Sequence, residues 1–250
     1  MLIDTHAHLD MLDDVDTAIK EARTAGVKKI IIPSASEDSF ERILEICHKY
    51  DDVYALLGVH PEDCDKFTNS TAKKIIDLAS DPKVVGIGEI GLDYHYTKEN
   101  KDIQKRVFNT QLEIAKVLDL PIVVHDREAH GDTLQILKEQ NVKKVLLHCY
   151  SGSVEFAHEC IKLGYKIALG GVVTFKNAKE IKAVAQEIDI KDIMLETDCP
   201  YLAPHPFRGQ ENSPKYIGFV AKEIANLKNI SYDSVANTTS ENARSFFRIK

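Results

Sequence analysis

Four histidines and two carboxylates stand where short apolar runs of the chain end: His6 and His8, Glu89, His125, His148 and Asp198. His6 and His8 are two positions apart, so on a strand both rings leave the same face. One histidine at a strand end is commonly a hydrogen-bonded rim residue, but four of them beside two carboxylates would each need a separate buried partner. Divalent metal satisfies all six together. Six ligands are too many for one tetrahedral ion, and the economical arrangement is two divalent ions about 3.5–4 Å apart with a shared carboxylate. We assign His6, His8 and Asp198 to one ion, His125 and His148 to the other, and Glu89 to both. Imidazole and carboxylate without thiolate suit Zn²⁺, Mn²⁺ or Co²⁺ more naturally than Mg²⁺. A water held between two such cations loses a proton near neutral pH. Asp198 is placed to take or relay that proton, which makes Asp198 and Glu89 the catalytic candidates.

The elements that must carry these groups recur along the chain. Near-continuous apolar runs occupy residues 2–8, 29–33, 53–59, 84–89, 121–125, 144–148, 166–169 and 193–198. Each has the length and composition of a strand buried on both faces, as a parallel sheet requires. Between them lie stretches of helical spacing. Phe40, Ile43, Leu44 and Cys47 fall at i, i+3, i+4 and i+7 within residues 38–50, and Val107, Leu112, Ile114 and Leu118 mark residues 102–118. Gly26 and Gly164 fall where such helices should stop. Eight strands alternating with helices and no break in composition predict an α/β fold, a single (β/α)8 TIM barrel spanning residues 1–250, with its active site at the C-terminal ends of the strands. Gly86, Gly88 and Gly91 have the spacing of a dinucleotide-binding fingerprint but sit inside the fourth strand rather than at a helix entry.

The 250 residues carry 32 Lys+Arg against 39 Asp+Glu, a formal charge of −7, which excludes a protein that coats duplex nucleic acid through a broad basic surface. With 44% hydrophobic and 28% charged residues the chain has the composition of a folded domain rather than a disordered one. No apolar run is long enough to span a bilayer, and the start of the chain lacks the basic-then-apolar pattern of a targeting signal, so a cytoplasmic protein with no membrane partner is expected. The five cysteines are scattered and contain no C-x-x-C pair, which predicts reduced thiols. Oligomeric state stays open, with a monomer the plain expectation.

Six segments taken in order resemble the successive motifs of the TatD family of metal-dependent deoxyribonucleases. They are Ile3-Asp4-Thr5-His6-Ala7-His8-Leu9, Gly58-Val59-His60-Pro61, Gly88-Glu89-Ile90-Gly91-Leu92-Asp93-Tyr94, His125-Asp126-Arg127-Glu128-Ala129, His148-Cys149-Tyr150-Ser151-Gly152 and Leu195-Glu196-Thr197-Asp198-Cys199-Pro200. The resemblance implies a hydrolase of nucleic-acid phosphodiesters supported by Mg²⁺, Mn²⁺ or Zn²⁺, a 3′→5′ exonuclease on single-stranded DNA or RNA. It also implies a glutamate on the fourth strand where related amidohydrolase barrels carry a carboxylated lysine, and Glu89 fits. The chain departs from the family after the last strand: a usually basic run here reads Arg208-Gly209-Gln210-Glu211-Asn212-Ser213-Pro214. That change weakens the grip on a long polyanion.

Arg127, two residues past His125, and Arg208 can pair with phosphate in a planar bidentate manner, and His60 ends the third strand at the same mouth. These three are the expected substrate contacts. Nucleic-acid ends or small phosphodiesters are the expected substrates. The competing expectation is a hydrolase of the same barrel acting on an ester or amide, such as a D-aminoacyl-tRNA deacylase or a lactonase, since the same chemistry attacks carbonyl carbon. Asp4 is expected to orient an imidazole, and Asp93 and Tyr94 to line the substrate groove. His95, His130, His158 and His205 are expected on surface or loop positions.

Overall fold

A computed structural model describes residues 1–96 and 99–250. Eight parallel strands run in sequential order: β1 (Leu2–Asp4), β2 (Val27–Pro33), β3 (Val53–Leu57), β4 (Val84–Asp93), β5 (Ile122–Arg127), β6 (Val145–Leu147), β7 (Lys166–Leu169) and β8 (Ile193–Leu195). Helices α1 (Val15–Thr24), α2 (Phe40–Lys49), α3 (Asn69–Leu78), α4 (Lys101–Leu118), α5 (His130–Glu139), α6 (Val154–Lys162), α7 (Lys179–Glu187) and α8 (Ile217–Lys228) follow them in turn, and α9 (Tyr232–Phe247) ends the chain. This is a (β/α)8 barrel.

Its core has two shells. Ile3, Ile31, Leu56, Val85, Val123, Leu146, Ala168 and Met194, one from each strand, form an inner cluster, and Ala243, Phe247 and Ile249 from the end of the chain pack against it. The larger cluster lies between the outer faces of the strands and the helices. All five cysteines are free thiols. No helix among the described residues is long and apolar enough to cross a membrane.

The strands end differently from the apolar runs. β1 stops at Asp4 rather than His8, and β4 and β5 continue together through Gly91↔His125, Leu92↔Asp126 and Asp93↔Arg127. Gly91 permits this close pairing: its φ is +148°, and a Cβ there would lie 1.9 Å from the carbonyl oxygen of His125. Between β8 and β1, side chains share the work of the ladder. Thr5 donates from its backbone N and its Oγ1 to the Leu195 carbonyl at 3.1 and 3.0 Å, and His8 N donates to Cys199 O at 2.8 Å. Buried Asp4 accepts from Thr197 N at 2.9 Å and Thr197 Oγ1 at 2.6 Å. The ends of β1 and β8 are thus fastened where His6, His8 and Asp198 emerge.

Two glutamines on α4 do the same for the far side. Gln104 and Gln111 are seven residues apart on one helical face and both fully buried. Gln104 accepts from Asp93 N at 2.9 Å and donates to Asp93 O at 2.8 Å. Gln111 accepts from Val59 N at 2.8 Å and donates to Val59 O at 3.0 Å. Each amide pairs with the backbone at the end of a strand, Asp93 closing β4 and Val59 just past β3, as a neighbouring strand would. Replacing Gln111 by leucine leaves a buried N–H and C=O unpaired, at about 1–3 kcal/mol per group. Calorimetry of Gln111→Leu should show Tm lowered by roughly 5–15 °C for a chain of this size, whereas an unchanged Tm would remove the amide's structural role.

Candidate metal centre

Glu89 lies inside β4, His125 inside β5, and His6, His8, His148 and Asp198 just beyond the ends of β1, β6 and β8. Their polar atoms, joined by those of His60, fall into three overlapping groups, His6 with Glu89 and His148, His6 with His8 and Asp198, and His60 with Glu89 and His125, and the separations from Glu89 and Asp198 can be followed on two sides. On one side, His6 Nε2 lies 3.3 Å from Glu89 Oε2 and 3.8 Å from Asp198 Oδ1, and His8 Nε2 lies 3.6 Å from Asp198 Oδ1 and 3.9 Å from Glu89 Oε1. On the other, His148 Nε2 is 2.7 Å from Glu89 Oε2, while His125 Nδ1 is 3.7 Å from that oxygen and 3.3 Å from His148 Nε2. The His6 and His148 rings stack between the two sides, centroids 3.8 Å apart.

These separations fit a cation. Bonds of about 2.0–2.1 Å in a tetrahedron place ligand atoms about 3.3 Å apart. Glu89 Oε2, both nitrogens of His6, and Nδ1 of His8 and of His148 are buried without a hydrogen-bond partner. Although His148 Nε2 is near, it lies off the hydrogen-bonding direction. Orphaned buried groups of this kind cost about 1–3 kcal/mol each, and divalent ions would satisfy those that face these groups.

Surrounding carboxyls decide which ring nitrogens are available. Asp93 Oδ2 lies 3.0 Å from His125 Nε2. That oxygen accepts a hydrogen bond from Nε2–H and leaves the Nδ1 lone pair facing Glu89, the carboxylate–histidine orientation that metal-binding imidazoles use. Asp93 Oδ1 meanwhile accepts from His95 N and Tyr96 N at 2.8 and 2.9 Å. Glu196, fully buried, accepts from Cys149 N at 2.6 Å and lies 3.9 Å from His148 Nδ1. His60 is oriented the other way. Its Nδ1 accepts from Glu62 N at 3.2 Å, so its Nε2, 3.9 Å from Glu89 Oε1, carries the proton and presents a donor.

Burial opposes charge on every member, and the neighbours decide the outcome. Burial, aided by His148, lowers His6 to about 4, and burial with His125 lowers His60 to about 3. Burial also works against a charged His125, but Asp93 and Glu89 outweigh it and raise that ring to about 10, so an ion at Nδ1 competes with a proton. His8 is raised to about 8 by Asp198 and Glu89 against the same burial. For Glu89 burial favours the neutral acid, yet His148, His6 and His60 together hold it well below the usual carboxylate range. Asp198 is lowered likewise, with His8 the main partner against burial. Two ionised carboxylates therefore face His6 and His60 as neutral rings, and His8 and His125 as rings whose proton a cation would displace.

The centre forms the floor of a cavity of about 580 Å³ whose walls include Met11, His60, Glu62, Asp63, Tyr96 and Arg127. Arg127 stacks over the Tyr96 ring at 4.6 Å and is the one Lys or Arg that lines the cavity among the described residues. Arg208 does not line it; exposed, it stacks over Phe175 at 4.4 Å. Asp4 meets the backbone N of His6 at 3.3 Å rather than its ring. Tyr94 is buried, its hydroxyl donating to Asp132 at 2.6 Å. His95 pairs with Glu128 at 2.6 Å and His130 with Asp126 at 2.8 Å. The roles of Asp93 toward His125 and Glu196 toward Cys149 lay outside the sequence reading; a carboxylate two residues from a ligand or four beyond one was the signal available.

A (β/α)8 barrel with this floor of imidazoles and carboxylates defines a metal-dependent hydrolase. Residues 3–248 match the family of TatD related DNases, and the chain belongs to it. It is 44% identical to the uncharacterized metal-dependent hydrolase YabD of Bacillus subtilis over 100% of both chains, and 35% identical to YcfH of Escherichia coli over 99% of this chain and 96% of that one. The crystal structure of YjjV, a TatD homolog from Escherichia coli K12, superposes with a TM-score of 0.95 at 31% identity, covering 100% of this chain and 98% of the other.

Charge on Asp93 should matter to metal held by His125. Asp93→Asn keeps an acceptor for Nε2–H but removes the charge, and titration calorimetry should show metal affinity weakened roughly 10–100-fold. Unaltered affinity would overturn this role.

Proposed function

We propose that this chain hydrolyses nucleic-acid phosphodiesters at a strand end, as a 3′→5′ exonuclease on single-stranded DNA or RNA, with two divalent ions, Zn²⁺, Mn²⁺ or Mg²⁺, held on either side of Glu89. The observation that carries this reading is that three overlapping groups of possible ligands, His6 with Glu89 and His148, His6 with His8 and Asp198, and His60 with Glu89 and His125, share one cavity with a single guanidinium among the described lining residues, Arg127. His6, His8 and Asp198 would hold one ion, His125 and His148 the other, with Glu89 between. Bound there, the ions supply an acidified water near neutral pH and draw charge from a phosphoryl oxygen.

The chain's own groups do the rest. Asp198, ionised at neutral pH and held beside His8, accepts the proton from the attacking water and returns it to the leaving oxygen. Arg127, its guanidinium carbon 4.6 Å from the centre of the Tyr96 ring, offers two parallel N–H donors to a phosphate. His60 adds an Nε2–H at the same floor. Glu62 and Asp63 leave the remaining rim acidic, which suits one phosphodiester rather than a continuous backbone.

Mn²⁺-loaded protein should release mononucleotides from 3′-labelled single-stranded DNA; turnover confined to acylated tRNA or to a lactone would replace the proposal with an acyl hydrolase. Asp198→Asn should lower kcat roughly 10²–10⁴-fold, the usual contribution of a general acid–base group, with one metal ion retained. Metal analysis of the wild-type protein should reach two ions per chain, and a ceiling of one would rule out the shared pair.

A further inference from the structure

Nine large apolar or aromatic side chains are exposed among the described residues, and four of them, Met11, Tyr96, Tyr201 and Leu202, line the mouth of the cavity above Glu89. Single exposed apolar residues need no explanation, but their concentration around a polar pit does. They lie on two walls. Tyr96 follows β4, and its ring carries the guanidinium of Arg127. Met11, Tyr201 and Leu202 follow β1 and β8, beside His8. The Tyr201 hydroxyl donates to Met11 Sδ at 3.6 Å, and its ring stands at 76° to that of His8 with centroids 6.1 Å apart.

This second wall is built rigidly. Tyr201 N donates to Asp198 O at 2.9 Å, and buried Asn212 donates from its Nδ2 to both Tyr201 O and Thr197 O at 2.7 Å. The run 208–214 therefore serves here, through Asn212, to fix Tyr201 to the segment that bears Asp198. Even so, Tyr201 remains 53% exposed. The one Lys or Arg among the described lining residues, Arg127, is held over Tyr96, so this wall offers an anion no such partner and presents instead the exposed face of a phenol ring, which suits a flat group.

We propose that Tyr201, backed by Met11 and Leu202, is the platform on which the base of the bound nucleotide stacks while its phosphate lies over Glu89. The inference rests on the phosphodiesterase reading and adds to it that the pit selects base-bearing esters over sugar phosphates. Base–aromatic stacking gives about 1–3 kcal/mol, a ratio of roughly 5- to 150-fold in affinity.

The test is calorimetric binding of 2′-deoxyadenosine 5′-monophosphate and 2-deoxyribose 5-phosphate to metal-loaded protein. The wild-type protein should prefer the nucleotide by roughly that ratio. Tyr201→Ala should bring the ratio near one with the sugar phosphate bound as before, and Tyr201→Phe should keep it. A wild-type ratio near one, or a ratio that survives in Tyr201→Ala, overturns the platform. Cleavage of a dinucleotide is measured separately: discrimination without cleavage removes the phosphodiesterase reading alone, and cleavage without discrimination removes the platform alone.

Discussion

Glu89 sits inside the barrel mouth with five imidazoles around it, and the cost of burying that crowd governs what each neighbouring element must do. A carboxylate alone at this depth would take up a proton; the rings of His148, His6 and His60 hold it ionised instead. Burial first, and then the charge of a neighbouring ring, pushes His6 and His60 toward the neutral form. Neutral imidazoles around an ionised carboxylate are a donor set for cations, and they are useful only if their nitrogens cannot turn to other partners. Rigidity at the ends of β1, β4, β5, β6 and β8 is the structural expression of that need.

Three further carboxyls supply the rigidity, and their environments separate their roles. Asp93 faces His125 and two backbone amides, and these outweigh its burial and lower it to about 2, so it remains an anion that raises the basicity of the ring. Asp4 is fully enclosed; burial raises it to about 7 against the hydrogen bonds from Thr197 and His6, and its contacts join β1 to β8. Glu196 has one strong partner, the amide of Cys149, and burial together with the nearby Asp198 raises it well above the usual range. Cys149, held by that bond, adopts φ +41° directly after His148. An irregular backbone at this point is maintained by the groups around it.

The positions of the converging imidazoles and carboxylates were legible because a parallel strand buried on both faces has a conspicuous end: the first polar residue after an apolar run stands at the mouth of the barrel. Strand limits were less legible. His6 and His8 continue an apolar-looking run, but backbone pairing beyond Asp4 passes into single bonds with β8. β4 runs past Glu89 because Gly91 allows the chain to approach β5, which an apolar count does not register. Gln104 and Gln111 were hidden for a related reason. An amide within a buried helical stripe looks like a weak spot in the pattern until the backbone groups of Asp93 and Val59, far away in sequence, are seen to need it. Arg208 was placed by its motif, yet stacking on Phe175 takes it away from the cavity.

The acidic balance of the chain then acquires a location. On the proposed reading Glu89 and Asp198 belong to the metal ligand sets, and Asp93 is engaged by His125, so they would not act on an incoming anion as free charges. With two divalent ions in place the formal charge would move from −7 only to −3, and Glu62 and Asp63 still border the cavity. An extended strand crossing that rim would bring successive phosphates against like charge, with Arg127 able to compensate one of them. Ending the strand at the pit removes the conflict: one phosphate meets the floor, and the neutral remainder of its nucleotide is free to lie against an apolar wall. On the proposed reading, restriction to ends and small esters would follow from where the charges sit, without any need for a loop that closes over the substrate.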